Sequence, residues 1–119
     1  MHFPEALVSD YRDLIPAMRN HEGDRHVLAA AVRAGAAVIV TWNVAHFPPT
    51  ACTRYDIDVQ TPDDFLARLW VLHPEELVLV LDQQAEHLIN PPRTTRQVIE
   101  TLQRSLPRFA GLALSSGYF

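Results

Sequence analysis

The chain has 119 residues, 48% of them hydrophobic, and a formal net charge of −4, which suits a small domain with one hydrophobic core. Its one cysteine, Cys52, excludes an internal disulfide, and no apolar run approaches the roughly 20 residues of a transmembrane helix. The negative charge argues against a general nucleic-acid coat protein, but a metal-dependent nuclease stays open because its cations supply positive charge. We expect a soluble, cytoplasmic protein that has no contact with a membrane.

The first half of the chain predicts a helix, a tight turn and a buried strand in succession. Pro4 to Ala17 reads as a helical segment, and a second helix begins near Asp24 and ends near Gly35, which can adopt the left-handed conformation that closes a helix. The apolar run 36–40 then predicts a parallel strand. Polar residues follow at its carboxyl end, where α/β sheets bind ligands: Thr41, Asn43 and His46.

The rest of the chain is predicted to be mainly helical. A short strand at 57–60 leads to Thr61, which caps a helix with Pro62 at its first position and two acids, Asp63 and Asp64, in its first turn. The segment 73–88 predicts a helix, although 77–81 alone is also compatible with a strand. A last helix begins at Thr94 or Thr95, and Pro107 bends or ends it.

The order of these residues resembles the second half of a PIN domain. The pattern is Asp-Arg-His-Val-Leu-Ala-Ala-Ala from Asp24, a glycine, a strand ending in Thr41-x-Asn43, then Phe47-Pro48, and finally Val59-Gln60-Thr61-Pro62-Asp63-Asp64-Phe65-Leu66. PIN domains are best known as the metal-dependent ribonucleases of bacterial toxin–antitoxin pairs, the VapC-like toxins. The resemblance covers roughly Phe3 to Trp70, and it is most specific between Asp24 and Phe47.

The resemblance implies an α/β fold, namely a partial, PIN-like, three-layer domain with a short parallel sheet at residues 1–72. A helical C-terminal extension at 73–119 is expected to pack on the same core. The opening strand of the family, with its Asp-Thr-Asn type motif, and the mid-domain helix with a metal-binding Glu find no match in this sequence. We therefore expect a severed or decayed half.

The resemblance also implies the site residues. Asp24 matches a metal-binding acid of the family, Thr41 and Asn43 match polar positions of its catalytic site, and His46 stands where many relatives carry Asp. The implied cofactor is Mg²⁺ or Mn²⁺, weakly bound or absent because oxygen-preferring ions suit a histidine poorly. Asp24 is equally compatible with a helix N-cap, and Thr41 and Asn43 with strand-end hydrogen bonding. The trio His21, Asp24 and His26 is interpreted as a solvated turn.

Four arginines of the C-terminal segment are predicted to share one side of the last helix, opposite its apolar stripe: Arg93, Arg96, Arg104 and Arg108. They suggest contact with an RNA backbone or with an acidic antitoxin segment, and a plain solvated face is the alternative.

Two classes of function therefore stay open. The first is a VapC-like, metal-dependent endoribonuclease that is impaired or inactive in this chain alone. The second is a non-catalytic binding protein of a toxin–antitoxin system. In either class we expect a homo-oligomer or a complementing chain, an antitoxin as a further partner, and RNA as the substrate where activity remains.

Overall fold

The structure, a computed structural model, describes residues 10–88 and 91–119. Part of the helical segment predicted at 4–17 lies outside these residues, and its described part contains a 3₁₀ helix, Arg12–Ala17. The chain is mostly helical with a two-stranded parallel sheet, which confirms the predicted α/β class. The strands are β1 (Val38–Val40) and β2 (Asp58–Gln60), and the α-helices are α1 (Arg25–Ala34), α2 (Pro49–Cys52), α3 (Pro62–Leu72), α4 (Pro74–Glu86), α5 (Thr95–Leu102) and α6 (Pro107–Leu114).

Helix α1 ends as the sequence predicts. Gly35 has a φ of 67°, a left-handed conformation in which a side chain would be strained, and its backbone N–H bonds back to the carbonyl oxygen of Val32 at 3.1 Å. The helix buries Leu28, Ala29 and Ala31. Through this buried face, α1 packs against the first hydrophobic core, which also contains Ile39 and Phe47.

The sheet joins two strands that run in the same direction. Ile39 pairs with Val59, and the backbone N–H of Thr41 extends the pairing by donating to the carbonyl oxygen of Gln60 at 2.9 Å. Since parallel strands need a crossover, the chain passes through α2 between them. Ile39 is buried in a core with Leu28, Phe47 and other apolar side chains. The segment after Thr41 therefore begins at a strand end that is held in place by the sheet and the core.

Helices α3 to α6 enclose a second core. Its centre holds Trp70, Ile99 and Phe109, and the Trp70 and Phe109 rings meet edge to face with centroids 6.2 Å apart. The helix start predicted at Thr94 or Thr95 is found as the start of α5, and Thr94 caps it: its side chain accepts from the Gln97 N–H while the Gln97 side chain accepts from the Thr94 N–H. Helix α4 resolves the alternative at 77–81 in favour of a helix.

Two predictions about the end of the chain are wrong. The last predicted helix stops at Leu102, and Pro107, which was expected to bend or end it, instead begins α6. Proline is well suited to a first helical position because its missing N–H has no partner there in any case. The first-turn acid Asp63 accepts hydrogen bonds from the start of α6, through the backbone N–H groups of Arg108 and Phe109.

The contacts divide the chain into two compact units, residues 1–61 and 62–119. The predicted boundary at residue 72 stays a prediction, and the division in the structure differs from it by one helix, α3. Within the described residues, no helix has the length and the apolar character needed to cross a membrane.

Candidate functional site

The candidate site is built around a hydrogen bond between Asp24 and His46. Asp24 ends a 3₁₀ turn, Glu22–Asp24, and immediately precedes α1, while His46 ends the 3₁₀ turn Val44–His46 beyond β1. The Asp24 Oδ2 atom lies 2.6 Å from His46 Nδ1, and both side chains are partly buried. An ionised carboxylate can only accept, so the Nδ1–H of His46 is the donor in this bond, and in the neutral imidazole Nε2 is then the nitrogen that carries the lone pair.

A second histidine completes the cluster. The ring of His21 stacks on the ring of His46, with centroids 4.0 Å apart and an angle of 15° between the planes. The backbones meet as well, because the N–H of His21 donates to the carbonyl oxygen of His46 at 3.0 Å. The Nδ1 atom of His21 accepts from the N–H of Gly23 at 3.1 Å, an exposed bond. Two loops that are distant in sequence are thereby held together at one point.

Asn20 is the buried support of this arrangement. Its side chain is 3% exposed, and its Nδ2 donates to the carbonyl oxygen of Asp24 at 3.0 Å. The backbone carbonyl oxygen of Asn20 accepts from Arg25 Nε at 3.1 Å. Its Oδ1 is buried and finds no partner in the described part of the chain. Asn20 therefore fixes the turn that carries His21 and Asp24.

Thr41 and Asn43 shape the loop that carries His46. The Thr41 Oγ1 atom accepts from the backbone N–H of Asn43 at 3.0 Å, and the carbonyl oxygen of Asn43 accepts from the N–H of His46 at 2.9 Å. These are the local bonds of a turn after a strand. A catalytic role for either residue stays a prediction, because these contacts are also what we expect if the two residues only form hydrogen bonds at the end of the strand.

Among residues 10–88 and 91–119, the cluster of His, Cys, Asp or Glu side chains that could share a metal ion consists of His21, Asp24 and His46. One ligand atom from each lies within 4.8 Å of the others. The donor set is one carboxylate and two imidazoles, whereas Mg²⁺ prefers oxygen ligands in near-ideal octahedral geometry. These residues do not fit Mg²⁺.

The structure changes the interpretation of the solvated turn. Of its three members, His21 and Asp24 belong to the cluster, while His26 lies exposed outside it. Sequence reasoning thus missed His21 and Asn20 as parts of the site. No local signal marks His21, since its neighbour His46 is brought to it only by the path of the chain through β1.

The four arginines predicted to share one side of the last helix do not lie on one helix. Of the four arginines only Arg96 lies within α5, since Arg93 precedes the helix, Arg104 follows its end and Arg108 belongs to α6. Arg96 contacts Glu100 at 3.2 Å, and Arg108 contacts Asp64 at 3.0 Å. The premise of a common helix face is wrong because α5 stops at Leu102, and contact of these residues with RNA or a partner stays a prediction.

Comparisons with known proteins match both units. Residues 62–114 match the family described as the VapC50 C-terminal domain. Over 108 residues the chain is 44% identical to a protein of Mycobacterium tuberculosis described as "Putative ribonuclease VapC50". That alignment covers 91% of this chain and 64% of the relative, so the chain spans a little less than two thirds of the curated protein that it matches. No solved structure matches significantly.

The alignment with this relative extends beyond the C-terminal domain, because 108 residues are more than α3 to α6 contain and must include much of the unit that carries Asp24. The predicted resemblance to VapC-like toxins is therefore confirmed: residues 62–114 match the VapC50 C-terminal domain, and most of the chain is similar to a protein described as a putative VapC50 ribonuclease.

Proposed function

We propose that this chain is a VapC toxin-like protein derived from metal-dependent endoribonucleases, and that on its own it cleaves RNA poorly or not at all with Mg²⁺. The observation that carries the proposal is the composition of the cluster: Asp24 is its one carboxylate. A metal-dependent ribonuclease needs carboxylates to hold its ion at the scissile phosphate, where the metal activates water and stabilises the developing charge. A single carboxylate supplies little of that.

Asp24, His46 and Asn20 have different roles in the proposed site. Asp24 would orient His46 through the 2.6 Å bond, and His46 would then present Nε2 to a substrate or to water. Asn20 holds Asp24 in place from the buried side. The half-buried position of the pair keeps it accessible, as a site for a polymeric substrate must be.

An RNA cleavage assay tests the proposal. We expect purified chain to leave a mixed RNA substrate intact with Mg²⁺ and at most to nick it slowly with Mn²⁺. Asp24→Asn should abolish any cleavage seen with Mn²⁺. Asp64→Asn is the matched control, because Asp64 is not part of the cluster and pairs with Arg108 instead.

Two results would contradict the proposal. Robust Mg²⁺-dependent cleavage that Asp24→Asn removes would show an intact enzyme. Cleavage that survives Asp24→Asn would show that the activity belongs to other residues or to a contaminant.

The second candidate function is that of a non-catalytic binding protein that contacts an antitoxin, a complementing chain or another copy of itself. It is favoured by large apolar side chains exposed on α3 and α4, which a chain without partners would normally bury. Val71 and Leu79 are 68% and 63% exposed, and Leu72 and Val80 are also exposed. Detection of a specific complex without any RNA cleavage would favour this function.

A further inference from the structure

The cluster of His21, Asp24 and His46 has a donor set that differs from the oxygen-rich sites of Mg²⁺ enzymes. We infer that it is a binding site for a divalent transition-metal ion of the Zn²⁺ class, with His21 as a ligand. The inference rests on the function proposed above and names the metal class of that same site. Imidazole nitrogen suits Zn²⁺, Co²⁺ and Ni²⁺, and one carboxylate with two imidazoles is a common set for such ions.

The geometry of the cluster is close to what such an ion needs. Ligand atoms around a tetrahedral Zn²⁺ with bonds of 2.0–2.1 Å are about 3.3 Å apart. In the structure the three side chains already offer atoms within 4.8 Å of one another. Because His21 is exposed and the other two side chains are only partly buried, all three have room to rotate toward a common ion.

The contact between His46 and Asp24 already brings two ligand atoms together, because His46 Nδ1 lies 2.6 Å from Asp24 Oδ2. An ion would take the place of the proton between these two atoms, since Nε2 points to the other side of the ring and an ion held there would lie out of reach of the Asp24 carboxylate. Asp24 and His46 would then each give one atom to the ion, and the two atoms would move apart to the spacing that it requires.

His21, the third ligand, would lose one weak hydrogen bond on binding the ion. His21 Nδ1 accepts from the N–H of Gly23 at 3.1 Å in an exposed bond that water can replace. The main-chain bond from His21 to His46 keeps the two rings adjacent whichever partner Nδ1 has. His21 is therefore held at the site by its backbone and is free to exchange the partner of its side chain.

Calorimetric titration of the full chain with Zn²⁺ and with Mg²⁺, in the absence of RNA, tests the inference. We expect one Zn²⁺ per chain, bound on the order of 100-fold more tightly than Mg²⁺. His21→Asn and His46→Asn should each weaken Zn²⁺ binding by about 10-fold or more. His26→Asn and His87→Asn are the matched controls, because both histidines are exposed and lie outside the cluster.

A substitution that changes the donor set makes the test independent of stability. His46→Asp should lower the affinity for Zn²⁺ and raise the affinity for Mg²⁺, whereas a misfolded variant would lose both. Co²⁺ provides a spectroscopic probe, with absorption bands that His21→Asn should alter and His26→Asn should leave unchanged.

The inference is overturned if Mg²⁺ binds as tightly as Zn²⁺, or if Zn²⁺ binding survives both His21→Asn and His46→Asn. Because binding is measured without RNA, its outcome is separate from that of the cleavage assay. A chain that binds Zn²⁺ yet cleaves RNA efficiently with Mg²⁺ would uphold this inference and contradict the proposed function.

Discussion

The carboxylate of Asp63, in the first turn of α3, accepts a hydrogen bond from the backbone N–H of Phe109 at 2.8 Å. Its other oxygen accepts from the N–H of Arg108 at 3.0 Å. Both donors belong to the first turn of α6, where N–H groups have no partner within the helix. One side chain of α3 therefore serves as the cap of another helix and joins the two ends of this unit.

Asp63→Ala should destabilise the chain by about 1–2 kcal/mol, as expected for the loss of a helix cap. The control is Asp64→Ala, which removes an exposed ion pair with Arg108 and should cost at most about 1 kcal/mol. Urea denaturation followed by circular dichroism measures both. Equal losses for the two variants would mean that the Asp63 bonds contribute little.

Two glycine substitutions should change stability in opposite directions. Gly35→Ala places a side chain at a φ of 67° and should destabilise by about 1–2 kcal/mol. Gly111→Ala lies within α6, where an added Cβ meets nothing within 4 Å, and should stabilise by about 1 kcal/mol through better helix propensity. Melting temperatures of the two variants compared with the unmodified chain decide the matter. A stabilising Gly35→Ala would contradict the left-handed end of α1.

Cys52 should resist thiol reagents in the folded chain. The side chain is buried, and burial raises the pKa of its thiol above the ordinary range because the thiolate loses solvation. We expect slow labelling in buffer and rapid labelling in urea, measured by mass spectrometry. Fast labelling of the folded chain would contradict the buried position.

The same raised pKa makes stability depend on alkaline pH. The unfolded chain releases the thiol proton above about pH 8.5, while the folded chain retains it, so the unfolded state binds fewer protons there. The stability contribution is thus fully present below the unfolded pKa and is lost as pH rises toward the folded pKa. Denaturation midpoints between neutral and alkaline pH should fall more for the unmodified chain than for Cys52→Ala.

Self-association should depend on the exposed apolar residues of α4. We expect the unmodified chain to form oligomers as its concentration rises, and Leu79→Glu to weaken them, because Leu79 is 63% exposed. Gln83→Glu adds the same charge to an exposed position of the same helix and is the matched control. Light scattering over a concentration series measures the effect. An unmodified chain that stays monomeric throughout would contradict the expectation.

Local chemistry determined most of the secondary structure. Gly35 ends α1, Pro62 begins α3, and the Thr94–Gln97 pair caps α5, and each signal acts within about four residues of the chain, so the sequence displays it directly. The apolar run that became β1 was readable for the same reason. The family resemblance rested on the order of these same elements and on Asp24.

The tertiary structure alone decided which distant residues meet. His21 reaches His46 because β1 returns the chain to the turn before α1, and Asp63 reaches Phe109 because α6 packs beside α3. Arg96 and Arg108 lie on different helices because α5 ends at Leu102, although the apolar pattern of the sequence continues beyond that residue. Periodicity records which side of an element is apolar, whereas partners across the fold depend on the complete path of the backbone, which no local pattern contains.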